Sequence, residues 1–356
     1  MKTAIPFANG LNVVQVYASK QSIMATDSNK PLQEKVVVIT GATSGAGRAA
    51  ALEFAKHQCT LVLAARNATA LNDIAAECET FGAKVKPVPT DVTDANAVKN
   101  LAAEAVAFGG TLDVWVNNAA VLAVGEFTRT PVEVHTRVIQ TNLLGYLYGA
   151  YAALPYFKQQ QQGILINNIS IGGYMPVPYG IAYSASKYGV RAFSEALRGE
   201  LYDYKNIYIC NLFPAFLDTP GTQHAANYTG VLLKPAPPVF DPMRIAKAMV
   251  KLAQQPKPSS MVTGLSPLIK LGYQLAPGFT RRIATTVLTT YFKNAEPATA
   301  SNGNVFEPVE YGTSIYGGWN SPADAAIRKK RVTTATILLT AAVGGLMLLS
   351  KRKRLR

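Results

Sequence analysis

The chain of 356 residues is poor in the residues that build disulfide scaffolds and metal centres. Its three cysteines, Cys59, Cys78 and Cys210, lie far apart and form no Cys-x-x-Cys pair. That pattern speaks for reduced thiols and against a disulfide framework or a zinc site. The three histidines, His57, His135 and His224, are not paired at a ligand spacing, so no metal is expected. Charged residues are scarce at 16%, while hydrophobic residues reach 49%. This excludes a disordered chain and suits a well-buried core. No internal repeat and no low-complexity tract is present.

Acidic residues are also few, 21 against 35 basic, which leaves a net charge of +14. The location of the charge argues against a nucleic-acid partner. Nine basic residues fall within 328–356: Arg328, Lys329, Lys330, Arg331, Lys351, Arg352, Lys353, Arg354 and Arg356. Between these clusters runs "VTTATILLTAAVGGLMLL", 332–349, with no charge in 18 residues. At 1.5 Å per residue it would span roughly 27 Å, enough for a hydrocarbon core. We expect 328–356 to be a basic-flanked transmembrane anchor. The first 34 residues have no unbroken apolar run and read as an irregular arm, not a secretory signal. The globular part is then expected in the cytoplasm, held by its tail.

From Lys35 onward, strand-like and helix-like runs alternate. "KVVVIT" precedes glycines and the helical "RAAALEFAKH"; "TLVLAAR" (60–66) precedes "ATALNDIAAECETFG". Strand-like "KVKPVPTDV" (84–92), "LDVWVNNAA" (112–120), "GILINNIS" (163–170), "IYICNLFP" (207–214) and "SMVTGL" (260–265) continue the theme. Helices are expected between them, a long one around 132–159 and another around 182–203. This order predicts an α/β fold of βαβ units around a parallel sheet over 35–265. Residues 266–292 read as two short amphipathic helices split at Pro277-Gly278. They would lie either against a membrane surface or on the core. The Asn-, Gly- and Pro-rich 293–327 reads as a loose connection to the anchor.

Two motifs carry the cofactor chemistry. "TGATSGAG", 40–47, sits between strand and helix, with Gly41, Gly45 and Gly47 at the turn. Such a turn needs tight backbone, close approach to a pyrophosphate and a helix N-terminus that supplies N–H groups and positive dipole. At the end of the second strand, where an acidic residue would bind an unsubstituted ribose, the chain has Ala65 and Arg66. A guanidinium there suits a 2′-phosphate, which points to NADP(H). Downstream, "AYSASKYGV" (182–190) places Tyr183 and Lys187 one helical turn apart. An ammonium beside the phenol would lower its pKa from near 10 and make it a usable proton exchanger.

With these residues read, the chain resembles the short-chain dehydrogenase/reductase family over roughly 35–265. The resemblance rests on Thr40 to Gly47, Asp91-Val92, "NNAA" at Asn117 to Ala120, and Asn142, Ser170, Tyr183 and Lys187, in that order. It implies a Rossmann-type doubly wound parallel sheet and a catalytic tetrad of Asn142, Ser170, Tyr183 and Lys187. It further implies cofactor contacts from Thr40, Gly41, Ser44, Gly45, Gly47, Arg66, Asp91, Val92, Asn117, Asn118, Ala119, Tyr183, Lys187, Pro214 and Thr219. Ser170 would donate to a substrate carbonyl, Lys187 would also hold the nicotinamide ribose, and Asn142 would hold a water linking Lys187 to solvent. Ala46, Ala120, Ala215 and Ile171 depart from the family pattern without removing a reactive group.

The expected function is an NADP(H)-dependent reductase of a small lipophilic carbonyl, working at a membrane. A cofactor-binding scaffold or sensor, and an epimerase or dehydratase on the same fold, are the alternatives. The resemblance also implies a homodimer through the helices carrying Asn142 and Tyr183.

Overall fold

The computed structural model describes residues 31–320. Seven strands form one parallel sheet: β1 Val36–Thr40, β2 Thr60–Ala65, β3 Lys84–Pro89, β4 Val114–Asn117, β6 Gly163–Asn168, β7 Ile207–Phe213 and β9 Ser259–Met261. Their spatial order is β3-β2-β1-β4-β6-β7-β9, so the chain reverses its direction of travel between β1 and β4. In open parallel sheets, ligands bind beyond the carboxyl ends of the strands at such a switch point. The fold is Rossmann-like.

The strands read as near-continuous apolar runs because both faces of the sheet are covered. Val37, Ile39, Leu61, Leu63, Val114 and Val116 pack into one core layer. Their neighbours Val36, Val38, Val62, Ala64 and Trp115 pack into the opposite layer. This is the two-residue alternation of a strand. Truncating a fully buried member such as Ile39 to alanine costs about 2–5 kcal/mol. Pro87 and Pro89 are tolerated because β3 is an edge strand and needs a ladder on one side only.

Helices α1 Gly45–Ala55, α2 Ala68–Glu79 and α3 Ala95–Gly109 connect the first four strands. The side chain of Asn67 caps α2 by accepting from Ala70 N–H, and Asp94 caps α3 by accepting from Asn96 and Ala97 N–H. The expected long helix at 132–159 is interrupted. It runs as α4 Val132–Ile139, a π-helical turn Gln140–Leu144, and α5 Gly145–Gln160. Such insertions often mark functional positions, and this one carries Asn142. Helix α6, Ile181–Glu200, holds Tyr183 and Lys187, and α7, Met243–Gln254, packs on α1. A small two-stranded parallel sheet pairs β5 Ala123–Gly125 with β8 Ala226–Tyr228 beside the cleft.

Two helices follow β9, α8 Leu265–Leu275 and α9 Pro277–Asn294, broken at the proline as the sequence suggests. The following segment is not a loose connection. Asn227 pairs with Ser301 and Val231 with Pro297 as β-bridges. The Asp218 carboxylate accepts from Gly317 and Trp319 N–H, and Val305 is fully buried. Composition missed this because the tethers are backbone groups, which any sequence supplies. Among the described residues no helix is long and apolar enough to cross a membrane. The expected span at 332–349, and most of the N-terminal arm, lie outside the described residues.

Candidate active site

At the carboxyl ends of β1 and β4 lies a cleft of about 410 Å³. That is the size range of small-molecule sites. Its floor is the turn from β1 into α1. Gly41 has φ +66°, a left-handed conformation that favours glycine. A Cβ on Gly47 would lie 2.0 Å from the Gly41 carbonyl oxygen. Glycine at 47 therefore lets the helix start press on the turn. Ser44, Gly45, Ala46 and Gly47 all line the cleft, at the positive end of α1.

Thr40 and Asn117 do not line it, contrary to the assignment implied by resemblance. Thr40 is buried; its hydroxyl donates to Val116 O at 3.2 Å and accepts from Asn118 and Ala119 N–H. Asn117 bonds Trp115, Tyr146 and Asn167 within the core. Both brace the motif from behind, because strand alternation turns them inward. Asn118, Ala119, Ala120, Pro214, Ala215 and Thr219 do line the cleft.

At the far end, Arg66 leaves β2 and lines the cleft with Asp91 and Val92. Its guanidinium donates to Phe306 O at 2.7 Å and Asn304 O at 2.6 Å, bonds to the returning C-terminal segment. Burial lowers its pKa, and nearby Asp91 works in the opposite direction. Asp91 is itself ion-paired to Arg137 at 2.6 Å. Burial would raise the Asp91 carboxyl, but bonds from Thr93 and the charges of Arg137 and Arg66 hold it below its usual value. Arg137 and the wall formed by Asn304, Pro308, Val309, Tyr311, Gly312 and Thr313 were not legible in the sequence. No motif signals them, since Arg137 meets Asp91, and the wall residues meet the cleft, across large sequence separations. Ser314 O, in the same returning segment, accepts from Gly45 N–H in the glycine turn at 3.0 Å.

The reactive end holds Ser170, Tyr183 and Lys187 together. Ser170 follows β6 with φ +109°, a strained conformation for a non-glycine residue and a frequent mark of functional sites. Its Oγ accepts from Gly172 N–H at 3.1 Å, and Ser170 hydrogen-bonds Tyr183. Burial raises the Tyr183 pKa above its ordinary value, with the bond to Ser170 opposing.

Lys187 shares a helix face with Tyr183 but bonds elsewhere. Its Nζ lies 5.8 Å from the Tyr183 ring centre and donates to Tyr146 Oη and Asn168 O, both at 3.2 Å. Burial lowers the Lys187 pKa to about 7, which weakens the charge it can hold beside Tyr183. The spacing places the two side chains on one face, but desolvation outweighs the expected charge effect. Tyr146, a buried phenol one turn beyond Asn142, is a further neighbour that no motif signalled. Asn142 lies behind the cleft lining. Its amide bonds both backbone groups of Val121 at 2.8 Å, bracing the loop after β4.

The short chain dehydrogenase family model matches residues 35–228, more than half of the chain. The chain belongs to the short-chain dehydrogenase/reductase family. It is an oxidoreductase of that family. Dehydrogenase/reductase SDR family member 7B of Xenopus tropicalis is 29% identical over 79% of this chain and 92% of its own length. The uncharacterized oxidoreductase YxnA of Bacillus subtilis is 29% identical, covering 78% and 79%. Among solved structures, the Thermococcus sibiricus alcohol dehydrogenase complexed with 5-hydroxy-NADP superposes with TM-score 0.56 at 28% identity. It aligns over 64% of this chain and 95% of that one. A Burkholderia phymatum short-chain dehydrogenase in complex with NAD gives TM-score 0.60 at 25% identity, over 69% and 96%.

Proposed function

We propose that this oxidoreductase uses NADPH to reduce a lipophilic carbonyl compound. The observation that carries the reading is the gathering of Ser170, Tyr183 and Lys187 at one end of a cleft whose other end presents Arg66. A phenol at this position can give its proton to the oxygen of a carbonyl that is being reduced. The residues fit a dinucleotide: a glycine turn at a helix N-terminus, two arginines near Asp91, and Tyr183 and Lys187 at the opposite end.

The cofactor supplies the hydride. Ser170 uses its hydroxyl proton to hold the substrate oxygen and steady the charge that develops there. Tyr183 gives its phenolic proton to that oxygen. Lys187, with its pKa lowered to about 7, can exchange protons near neutral pH at the same site. Arg66 would meet a 2′-phosphate there, exchanging its backbone carbonyl partners for phosphate oxygens.

The test is NADPH oxidation against lipophilic ketones and aldehydes, with NADH as control. Tyr183→Phe should cut kcat by about 10²–10⁴ with little change in cofactor affinity. An unchanged rate would remove Tyr183 from the mechanism. Tight NADPH binding without turnover of any carbonyl would favour a sensor. The proposal includes a tail anchor at 332–349, with the catalytic unit in the cytoplasm and no nucleic-acid partner. Removing 328–356 should then shift the protein out of the membrane fraction, unless residues 266–292 hold it independently.

A further inference from the structure

Helices α8 and α9 pack on each other as a hairpin at the rim of the cleft. Their inner side is tied down. Ile269 lines the cleft, Lys270 Nζ lies 4.6 Å over the Tyr174 ring, and Phe292 meets Tyr179 edge-on at 5.0 Å. Tyr174 follows the turn after Ser170, and Tyr179 precedes the helix that carries Tyr183.

The outer side is apolar and uncovered. On α8 the exposed residues Leu268, Leu271 and Leu275 recur at intervals of three and four, one stripe of a helix. On α9 the exposed residues Phe279, Ile283 and Val287 recur at intervals of four. No residue of α9 is buried, and only Ser266 of α8 is. Amphipathic helices ordinarily turn such stripes inward, so these require a partner outside the described fold.

Charge selects the partner. Besides Lys270, which turns inward onto Tyr174, residues 265–294 carry three exposed basic side chains, Arg281, Arg282 and Lys293, and no aspartate or glutamate. Apolar stripes with cationic neighbours are the composition of a helix lying in the headgroup region of an anionic bilayer. A second copy docked face to face would instead bring like charges together at the contact.

We propose that the α8–α9 hairpin docks on an anionic lipid surface and holds the mouth of the cleft against it. An apolar substrate would then pass from the lipid to Ser170 and Tyr183 without crossing water. The docking claim stands on this surface alone and does not require that the substrate be lipophilic or that 332–349 span a bilayer.

The test uses the full chain with Leu275→Cys, labelled by an environment-sensitive nitrobenzoxadiazole dye. The three native cysteines are buried, so the label reports the hairpin. Adding vesicles that contain phosphatidylserine should shift the emission to the blue and raise it several-fold, whereas phosphatidylcholine alone should do so weakly. Arg281→Glu with Arg282→Glu should weaken the response at least tenfold, since each cation near such a surface contributes about 1 kcal/mol. Helical content and cofactor binding should be retained, which separates lost docking from lost folding. Two results would overturn the proposal. One is an unchanged dye signal on protein that floats with the vesicles, which would mean another segment holds it. The other is a shift that needs no lipid and grows with protein concentration, which would make a second copy the occupant. Neither readout depends on turnover, so failure of the reductase reading would leave this result intact.

Discussion

Replacing Lys187 should stabilise the protein while disabling it. The amine is buried and its pKa lies at about 7 against 10.5 for a free lysine. At 1.36 kcal/mol per pH unit, keeping the proton on the buried amine below pH 7 costs the fold roughly 5 kcal/mol. Lys187→Met removes that cost and gives up two hydrogen bonds, each worth about 1 kcal/mol. Asn168 O is not orphaned, because Tyr146 Oη still donates to it at 2.8 Å. A net gain of about 3 kcal/mol remains, on the order of 6–12 °C in Tm for a domain of this size. The sign of the pH dependence follows from the depressed pKa. Between about 7 and 10.5 the unfolded chain holds a proton that the folded chain has released. The parent therefore gains stability as pH rises through this window, and the advantage of the variant shrinks. Thermal unfolding followed by circular dichroism at pH 6.5 and pH 10, with NADPH turnover in parallel, measures both effects. A stability gap equal at the two pH values, or a variant less stable at pH 6.5, would refute a depressed Lys187.

Other substitutions probe the remaining parts of the site. Arg66→Ala should raise KM for NADPH about 10–100-fold while leaving NADH use nearly unchanged, the loss expected for one charge-assisted hydrogen-bond partner; equal losses would assign Arg66 to tethering Asn304 and Phe306 instead. Gly47→Ala would force a Cβ to within 2.0 Å of the Gly41 carbonyl oxygen, so cofactor binding by fluorescence and the Tm should both fall, by at least 1–3 kcal/mol in stability. Cys59, Cys78 and Cys210 are buried, with pKa values pushed up to about 12, so a maleimide at pH 7.5 should label none in the native protein and all three in denaturant.

Local chemistry was legible in the sequence wherever one segment carries a whole function. The strand–glycine–helix turn at 40–47 is such a segment, as are the apolar runs of β1, β2 and β4 and the break at Pro277. Ser170, Tyr183 and Lys187 were also legible, each standing in a short motif whose element places it at the cleft. Roles that depend on what lies across the fold were not. Alternation along β1 and β4 puts Thr40 and Asn117 in the core, where they brace the motif they belong to. Asp91 and Arg137 are 46 residues apart, and Arg66 meets carbonyls 238 and 240 residues away.

The sequence by itself determined the succession of βαβ units and the residue types they deliver to the cleft, because periodicity, turn chemistry and helix spacing are local properties. Only the tertiary structure decided the charge states and the walls. Whether Lys187 keeps its ammonium, or Tyr183 its proton, depends on how much water the surrounding side chains exclude. The course of 301–319 along the cleft rests on its own backbone groups, held by partners such as Asp218 and Arg66 far away in sequence, and carries no signature in its side chains. The apolar stripes of α8 and α9 look the same in sequence whether they face a core or a bilayer, and only the assembled fold shows that they face outward.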